Sequence, residues 1–477
     1  MSGLDPRTPV LVGWAALRQR EEDPTAALDA HGLMAGAVRQ AAVDAGAPSV
    51  LDRVGLVVVA EGTWRGGLDP TALGAPSTAR TVLARIGVLQ QTLLTRAATA
   101  VGRGEVDAAL VVGGEAKHRD RRLAAAGTPD PPGAPTSADE ALAPAGDILH
   151  PLEIERELAW PVRQYAVVEA ALGAADDMDP GAQQALVDAM WAGIGSVSEA
   201  NPWAWSPGPV APEDLAPSPA NPLLATPYTR RHTSSWNVDQ SAALLLCSAA
   251  TATAAGVPRD RWVFPWVGVE SNHMVPLVAR GQVGACPAMA VVGDRAAALT
   301  GVAPGEADHV DLYSCFPVAV RLQARALGRP LDAPLTVTGG MAGAGGPLNS
   351  YSLGALTAVA DRLRADPDAV GVVTSVSGML TKYGLGMWSA RPPTDGFQAA
   401  DVSDAVAEAT EVRPVDGALT GPVTVAGATV VHDHGEPSFA VAVVEDADGT
   451  RTVATSEDPV HLAVGDRVTV ADGVLRA

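Results

Sequence analysis

Residues Leu89–Glu115 read LQQTLLTRAATAVGRGEVDAALVVGGE. Side chains at Val88, Leu89, Thr92, Leu93, Ala97 and Val101 recur at helical spacing, so Val88–Gly102 is expected to be a helix with one buried face. Arg103-Gly-Glu-Val-Asp107 makes a short turn, and Ala108–Val112 (AALVV) is an apolar run of strand length. Upstream, Pro9–Trp14 (PVLVGW) and Val54–Ala60 (VGLVVVA) read as buried strands flanking a helix at Thr25–Ala45. Downstream the order repeats: helix at Ala288–Leu299, strand at His309–Leu312, helix at Leu353–Leu363, turn at Ala365–Asp368, strand at Ala369–Thr374 (AVGVVT). The unit of helix, acidic turn and apolar strand at 89–114 thus recurs at 350–378, a sign of duplication. Apolar strands alternating with helices predict mainly parallel sheets covered on both faces.

Two regions break this pattern. From about Arg119 to Tyr228 the chain carries proline-rich pieces, Pro129–Pro135 and Ser206–Pro222, around expected helices at Pro151–Leu172 and Pro180–Val197. This reads as an insertion whose loops shape a ligand cleft. After about residue 413 come short Val/Thr-rich runs: Val423–Ala426, Thr429–His432, Phe439–Glu445, Arg451–Thr455 and Arg467–Ala471. Turn signals at Asp448-Gly449, Gly465-Asp466 and Asp472-Gly473 separate them, which predicts a small all-β unit after a linker at Arg391–Thr420.

Composition bounds the function. The 477 residues are enough for two to four domains, and 47% hydrophobic against 18% charged residues supports a large core. The net charge of −21 argues against a phosphate backbone as partner, and an anionic ligand would need a local basic pocket. The three cysteines, Cys247, Cys286 and Cys315, are far apart with no Cys-x-x-Cys pair, which argues against disulfides and a cysteine zinc site. The start, Met1-Ser-Gly-Leu-Asp-Pro, lacks a leader pattern, and no apolar run reaches the roughly 18 residues that span a bilayer. A cytoplasmic location is expected.

Four stretches together resemble the thiolase superfamily. They are Leu89–Glu115, Ser234–Ser241 (SSWNVDQS), Asp311–Pro317 (DLYSCFP) and Gly339–Pro347 (GGMAGAGGP). Their order and spacing agree with the family over about residues 8–395. Tyr-Ser-Cys-Phe-Pro, Gly345–Tyr351 (GGPLNSY) and the C-terminal β unit are most similar to the type 1 thiolase-like proteins, relatives of the sterol-carrier-type thiolases. The resemblance implies an α/β thiolase fold: duplicated βαβαβαββ halves in five αβαβα layers, with an inserted loop domain and a C-terminal all-β, OB-like domain. The expected divisions are residues 1–118 and 231–258 for the first half, 119–230 for the insertion, 259–395 for the second half and 413–477 for the β domain. The OB likeness concerns shape and implies no nucleic acid.

The chemistry of that family is interrupted here. Matching the Arg-Gly-Glu-Val-Asp turn back along the helix puts Gly87, between Ile86 and Val88, where the family has its nucleophilic cysteine. Such a thiolate gains reactivity from a helix N-terminus, and glycine has nothing to attack with. The family's Gly-His-Pro histidine falls on Gly346, and its oxyanion-hole Asn or His on Tyr313, whose hydroxyl can still donate. The late Cys-x-Gly motif has no cysteine in Thr374–Gly378 (TSVSG). Cys315 matches the sterol-carrier-type His-Asp-Cys-Phe cysteine, so it reads either as an acid/base or replacement nucleophile or as a small buried side chain. Gly87 and Gly346 read either as backbone N–H sites for a ligand carbonyl, carboxylate or phosphate, or as drift.

Other residues have two readings each. Asn349 caps the following helix, lines the cleft, or does both. His273 contacts ligand near the junction of the halves or is a plain loop histidine. His432-Asp-His434 would place two imidazoles on one strand face, short of a metal site, so no metal is assigned. Asn237 and Asp239 would bridge the halves by hydrogen bonds, and Gly339–Gly346 lacks the Gly-Lys-Ser/Thr ending of a phosphate loop. Two functions remain: an acyl-CoA-dependent acyltransferase without the usual Cys/His set, with Cys315 and Tyr313 catalytic and Gly87, Gly346, Asn349 and His273 binding substrate, or a non-catalytic acyl-CoA-binding or partner-docking protein. Neither requires a tightly bound cofactor; coenzyme A or acyl-CoA is substrate or ligand. A protein partner at the β domain is possible on this reading, with no nucleic acid or membrane, and the chain is expected to be a monomer or homodimer.

Overall fold

The computed structural model describes residues 4–131 and 133–476. Met1-Ser-Gly, read above for a leader, and Pro132 of the proline-rich Pro129–Pro135 lie outside the described residues. In chain order the strands are β1 (Pro9–Arg18), β2 (Val54–Ala60), β3 (Arg80–Ala84), β4 (Ala108–Ala116), β5 (Glu140–Leu142), β6 (Leu223–Ala225), β7 (Tyr228–Thr229), β8 (Asp239–Ser248) and β9 (Phe264–Ser271). They continue as β10 (His309–Asp311), β11 (Val370–Ser377), β12 (Lys382–Ser389), β13 (Gln398–Asp401), β14 (Gly421–Asp433), β15 (Glu436–Glu445), β16 (Arg451–Ser456), β17 (Arg467–Ala471) and β18 (Val474–Arg476). The helices are α1 (Ala30–Asp44), α2 (Gln90–Gly102), α3 (Lys117–Ala125), α4 (Pro151–Glu155), α5 (Pro161–Ala175), α6 (Pro180–Ser196), α7 (Ala249–Ala254), α8 (Pro287–Thr300), α9 (Pro317–Ala326), α10 (Gly340–Gly343), α11 (Tyr351–Ala365) and α12 (Ser403–Ala409).

The first sheet runs β1-β8-β4-β2-β3-β5 and the second β10-β11-β12-β9-β13. In the first, β2 is parallel to β4, and β4–β8 and β8–β1 are antiparallel. In the second, β10 is parallel to β11, and β11–β12 and β12–β9 are antiparallel. The series β2-β4-β8-β1 and β10-β11-β12-β9 thus agree in order and direction, while β3, β5 and β13 have no counterpart, and the repeat expected from 89–114 and 350–378 is α2–β4 echoed by α11–β11. These central helices lie between the sheets: α2 contacts β4 and β9, and α11 contacts β8 and β11. Helix α1 covers the far side of the first sheet and α8 that of the second, completing five layers.

Alternation along the strands explains why they read as unbroken apolar runs. On β4, Ala109 and Val111 enter the large central core, and Ala108, Leu110 and Val112 enter the smaller core beneath α1. Both faces are buried, so neither can be polar.

Several boundaries depart from expectation. Helix α1 starts at Ala30, because Asp29 caps it by accepting the Gly32 N–H at 2.7 Å. The helix expected over Pro151–Leu172 is two helices, since Trp160 is extended ahead of Pro161 and Glu157 has φ +62°. The linker at Arg391–Thr420 contributes β13, parallel to β9, and α12. Val423–Ala426 and Thr429–His432 merge into β14, which bulges between Val425 and Gly427. A Cβ at Gly427 would lie 2.8 Å from Val167 of α5, so its absence lets helix and strand meet.

The C-terminal strands form a ring, β14-β15-β16-β18-β17, closed by β14 pairing with both β15 and β17. Val423, Val425, Ala442, Val444, Ala454 and Val470 fill it. Strand β6 of the insertion also pairs with β14, so the insertion and the ring share a sheet. No helix among the described residues is long and apolar enough to cross a membrane.

Candidate functional site

Strand β3 ends at Ala84, and Arg85–Leu89 turns the chain into α2. Glu61 holds this turn, accepting the Arg85 guanidinium at 2.7 Å and the Ile86 N–H at 3.1 Å. Gly87 sits at its apex with φ +99°, a left-handed conformation that side chains rarely adopt. A Cβ there would lie 3.1 Å from both Ile148 and Pro144 of the insertion. The Gly87 carbonyl accepts from Ser377 Oγ (3.0 Å) and Lys382 Nζ (3.5 Å), and its N–H has no acceptor among the described residues.

Gly346 differs. Its N–H donates to the Ser235 carbonyl at 2.9 Å, so it is not the free donor expected above. A Cβ there would meet Met341 Cε at 2.9 Å. The preceding glycine-rich loop is anchored by Asp311, whose carboxylate accepts from Thr336 Oγ1, Val337 N, Thr338 N, Thr338 Oγ1 and Tyr351 Oη. Asn349 does not cap α11: Ser350 is the cap residue, without a side-chain bond. Asn349 Nδ2 instead donates to the Ala84 carbonyl at 3.3 Å, tying the second half to the turn before Gly87.

Tyr313 and Cys315 follow β10 and are both buried. Tyr165 of α5 joins them, stacked on Phe316 with ring centroids 4.3 Å apart. Burial pushes the Cys315 thiol up to about 12, against a smaller opposing effect from its hydrogen bond with Tyr165. Burial and the neighbouring Cys315 hold the Tyr313 hydroxyl far above its usual range. At neutral pH this cluster is a set of uncharged donors, not a thiolate nucleophile.

His273 lies just past the end of β9. With Arg280, Cys286, Leu380 and Thr381 it lines a cavity of about 110 Å³. Glu270, beside it at the end of β9, accepts Thr92 Oγ1 at 2.8 Å, and burial raises its carboxyl to about 7.

The histidine pair does not share a strand face. His432 bonds Thr226 Oγ1 at 2.9 Å, while His434 sits in the following turn at φ +50°. No group of three metal-type side chains occurs among the described residues. Asp239 accepts the Arg119 N–H at the start of the insertion and does not reach the second half; Gln240 does, donating to the Ala344 carbonyl as well as to that of Trp203.

No protein-family model matches the chain, and no curated protein matches it in sequence. Among solved structures, a monomeric SCP2-thiolase-like protein type 1 from Mycobacterium smegmatis aligns with 99% of this chain and 100% of its own, at TM-score 0.83 and 24% identity. The chain has the thiolase fold. The dimeric peroxisomal thiolase of Saccharomyces cerevisiae is similar at TM-score 0.57 and 16% identity, over 81% of this chain and 98% of its own. An Ltp2–ChsH2(DUF35) aldolase is similar at TM-score 0.60 and 18% identity, over 81% and 99%.

On this thiolase fold, sequence reasoning missed Tyr165, Arg280 and Lys382. Tyr165 lies in the insertion, where no motif flags it. The other two had a signal: Arg280 directly follows the apolar Leu277–Ala279, and Lys382, fully buried, is one of only two lysines in the chain, with Lys117.

Proposed function

We propose that this chain is a thiolase-superfamily protein of the type 1 thiolase-like kind that binds an acyl-CoA thioester and forms no acyl-enzyme. The observation that carries this reading is Gly87: Pro144 and Ile148 occupy the approach a nucleophilic side chain would need. Its unbonded N–H, in the turn that leads into α2, supports a role in holding a thioester carbonyl. The nearest thiol of the family pattern, Cys315, is held neutral by burial.

Calorimetry with coenzyme A and acetyl-CoA, followed by intact-mass measurement, tests this reading. Binding with no mass increase is expected, and acetoacetyl-CoA is not thiolysed. Thiolysis at ordinary rates, or no detectable binding, would sink the proposal.

Direct acyl transfer from thioester to acceptor is the second reading. It is favoured by the convergence of Tyr165, Tyr313 and Cys315, whose hydroxyl and thiol donors could polarise a carbonyl. An adduct or transfer product that disappears in Cys315→Ala would favour it over binding alone. In the C-terminal ring, the β14-β15-β16-β18-β17 order with a parallel β16–β18 contact supports an OB-like shape suited to docking a protein partner. A cytoplasmic, monomeric or homodimeric protein remains part of this proposal.

A further inference from the structure

Arg280 is 4% exposed and lines the cavity beside His273. Its Nε donates to the Val275 carbonyl at 3.2 Å, and Nη2 donates to the carbonyls of Gly378 and Met379. These bonds have a clear structural purpose. Gly378, Met379 and Leu380 all have positive φ, at 59°, 50° and 76°, and two of them are not glycine. Such backbone costs of the order of 1–3 kcal/mol per residue and persists only where neighbours hold it.

The clamp leaves one group unused. Nη1 of Arg280 is buried and makes no hydrogen bond, and the same is true of His273 Nε2. Arg280 takes part in no ion pair among the described residues. Arginine does not shed its proton in a protein, so the charge cannot be relieved by titration. Glu153, a buried carboxylate near enough to favour the charge, accepts the Val278 and His150 N–H groups and makes no ion pair with Arg280. A buried cation without a directly paired counter-charge is costly, and a paired one much less so. On the other side of the segment Arg451 donates to the carbonyls of Arg280 and Gly281, and its own charge is paired with Glu445 at 2.7 Å, so Glu445 is not free to serve Arg280. The only carboxylate lining the cavity, Glu411, is exposed at the rim and paired with Arg413 at 3.2 Å.

We propose that this cavity is a binding site for a small carboxylate, seated on the free edge of the Arg280 guanidinium with His273 as its second polar partner. A volume of about 110 Å³ is on the scale of three to four waters at roughly 30 Å³ each, which suits an acid of two to four carbons. The apolar part of such an acid would face Val275, Leu380 and Val406, which line the same space. The inference concerns the Arg280 cavity alone and does not depend on thioester binding at Gly87.

Titration calorimetry of the full chain with acetate, malonate and succinate at constant ionic strength tests it, with chloride and sulfate as controls. Saturable binding of at least one carboxylate is expected, with a thermal midpoint that rises with its concentration. Ala285→Leu, which fills the cavity while leaving the clamp intact, should abolish both effects. Arg280→Lys keeps the charge but loses the fork, and should weaken binding by about tenfold or more where it folds. No saturable carboxylate binding up to about 10 mM, beyond the millimolar range of weak sites, overturns the proposal. So does Ala285→Leu binding as tightly as the parent.

Discussion

Gly87 holds φ at +99° under Pro144 and Ile148, so a cysteine introduced there places a thiol badly. Gly87→Cys carries about 1–2 kcal/mol of left-handed strain, with a tight contact at 3.1 Å besides. It is expected to lower the thermal midpoint and still give no acetyl adduct by intact mass, because Gly346 provides no base. Glu270 offers a second residue-scale outcome. Its carboxyl stands at about 7, raised from 4.5 by burial. Below about pH 4.5 folded and unfolded chains both hold this proton. Between 4.5 and 7 the unfolded chain gives it up first, so folding stability falls as pH rises, by about 3 kcal/mol in total. Glu270→Gln should remove that fall, seen as the difference between variant and parent in urea unfolding at pH 4.5 and pH 7.5. Equal pH dependence in the two proteins would contradict it.

At the scale of elements, the strand-helix repeat was legible because burial on both faces leaves no charged residue in Val54–Ala60, Ala108–Val112 or Ala369–Thr374. The centre of the site was legible only in part. Gly87 and Gly346 follow from order and spacing, but the bonded state of the Gly346 N–H depends on Ser235, over a hundred residues away. Tyr165 and the Pro144–Ile148 cover belong to the insertion, whose packing no local periodicity encodes. The glycine-rich element also depends on a distant anchor. Asp311 takes donors from Thr336, Val337, Thr338 and Tyr351, which fixes the loop against β10 and α11. Asp311→Ala leaves several buried donors unpaired at about 1–3 kcal/mol each, so a loss of at least 3 kcal/mol in urea unfolding is expected. Asp311→Asn, which keeps an acceptor oxygen, should lose less.

For the whole molecule, the C-terminal ring is part of the body rather than a hanging module. It shares β14 with the insertion's β6, and Arg156 after α4 donates to the carbonyls of Gly417 and Val453. Arg451 in turn holds the backbone beside the carboxylate cavity. Scanning calorimetry of the full chain should therefore show one transition, and a chain ending at residue 412 should aggregate or unfold over a broad range. Two well-separated transitions would mean the ring is independent. The shared strand also sets an order of events during synthesis. Leu223–Ala225 leaves the ribosome some two hundred residues before Val431, the residue it pairs with. Until Val431 follows, the insertion carries an unmatched strand edge, which invites association with other nascent chains. That sheet is thus closed long after its first strand is made, and the yield in a cell should depend on what shields the edge in the meantime.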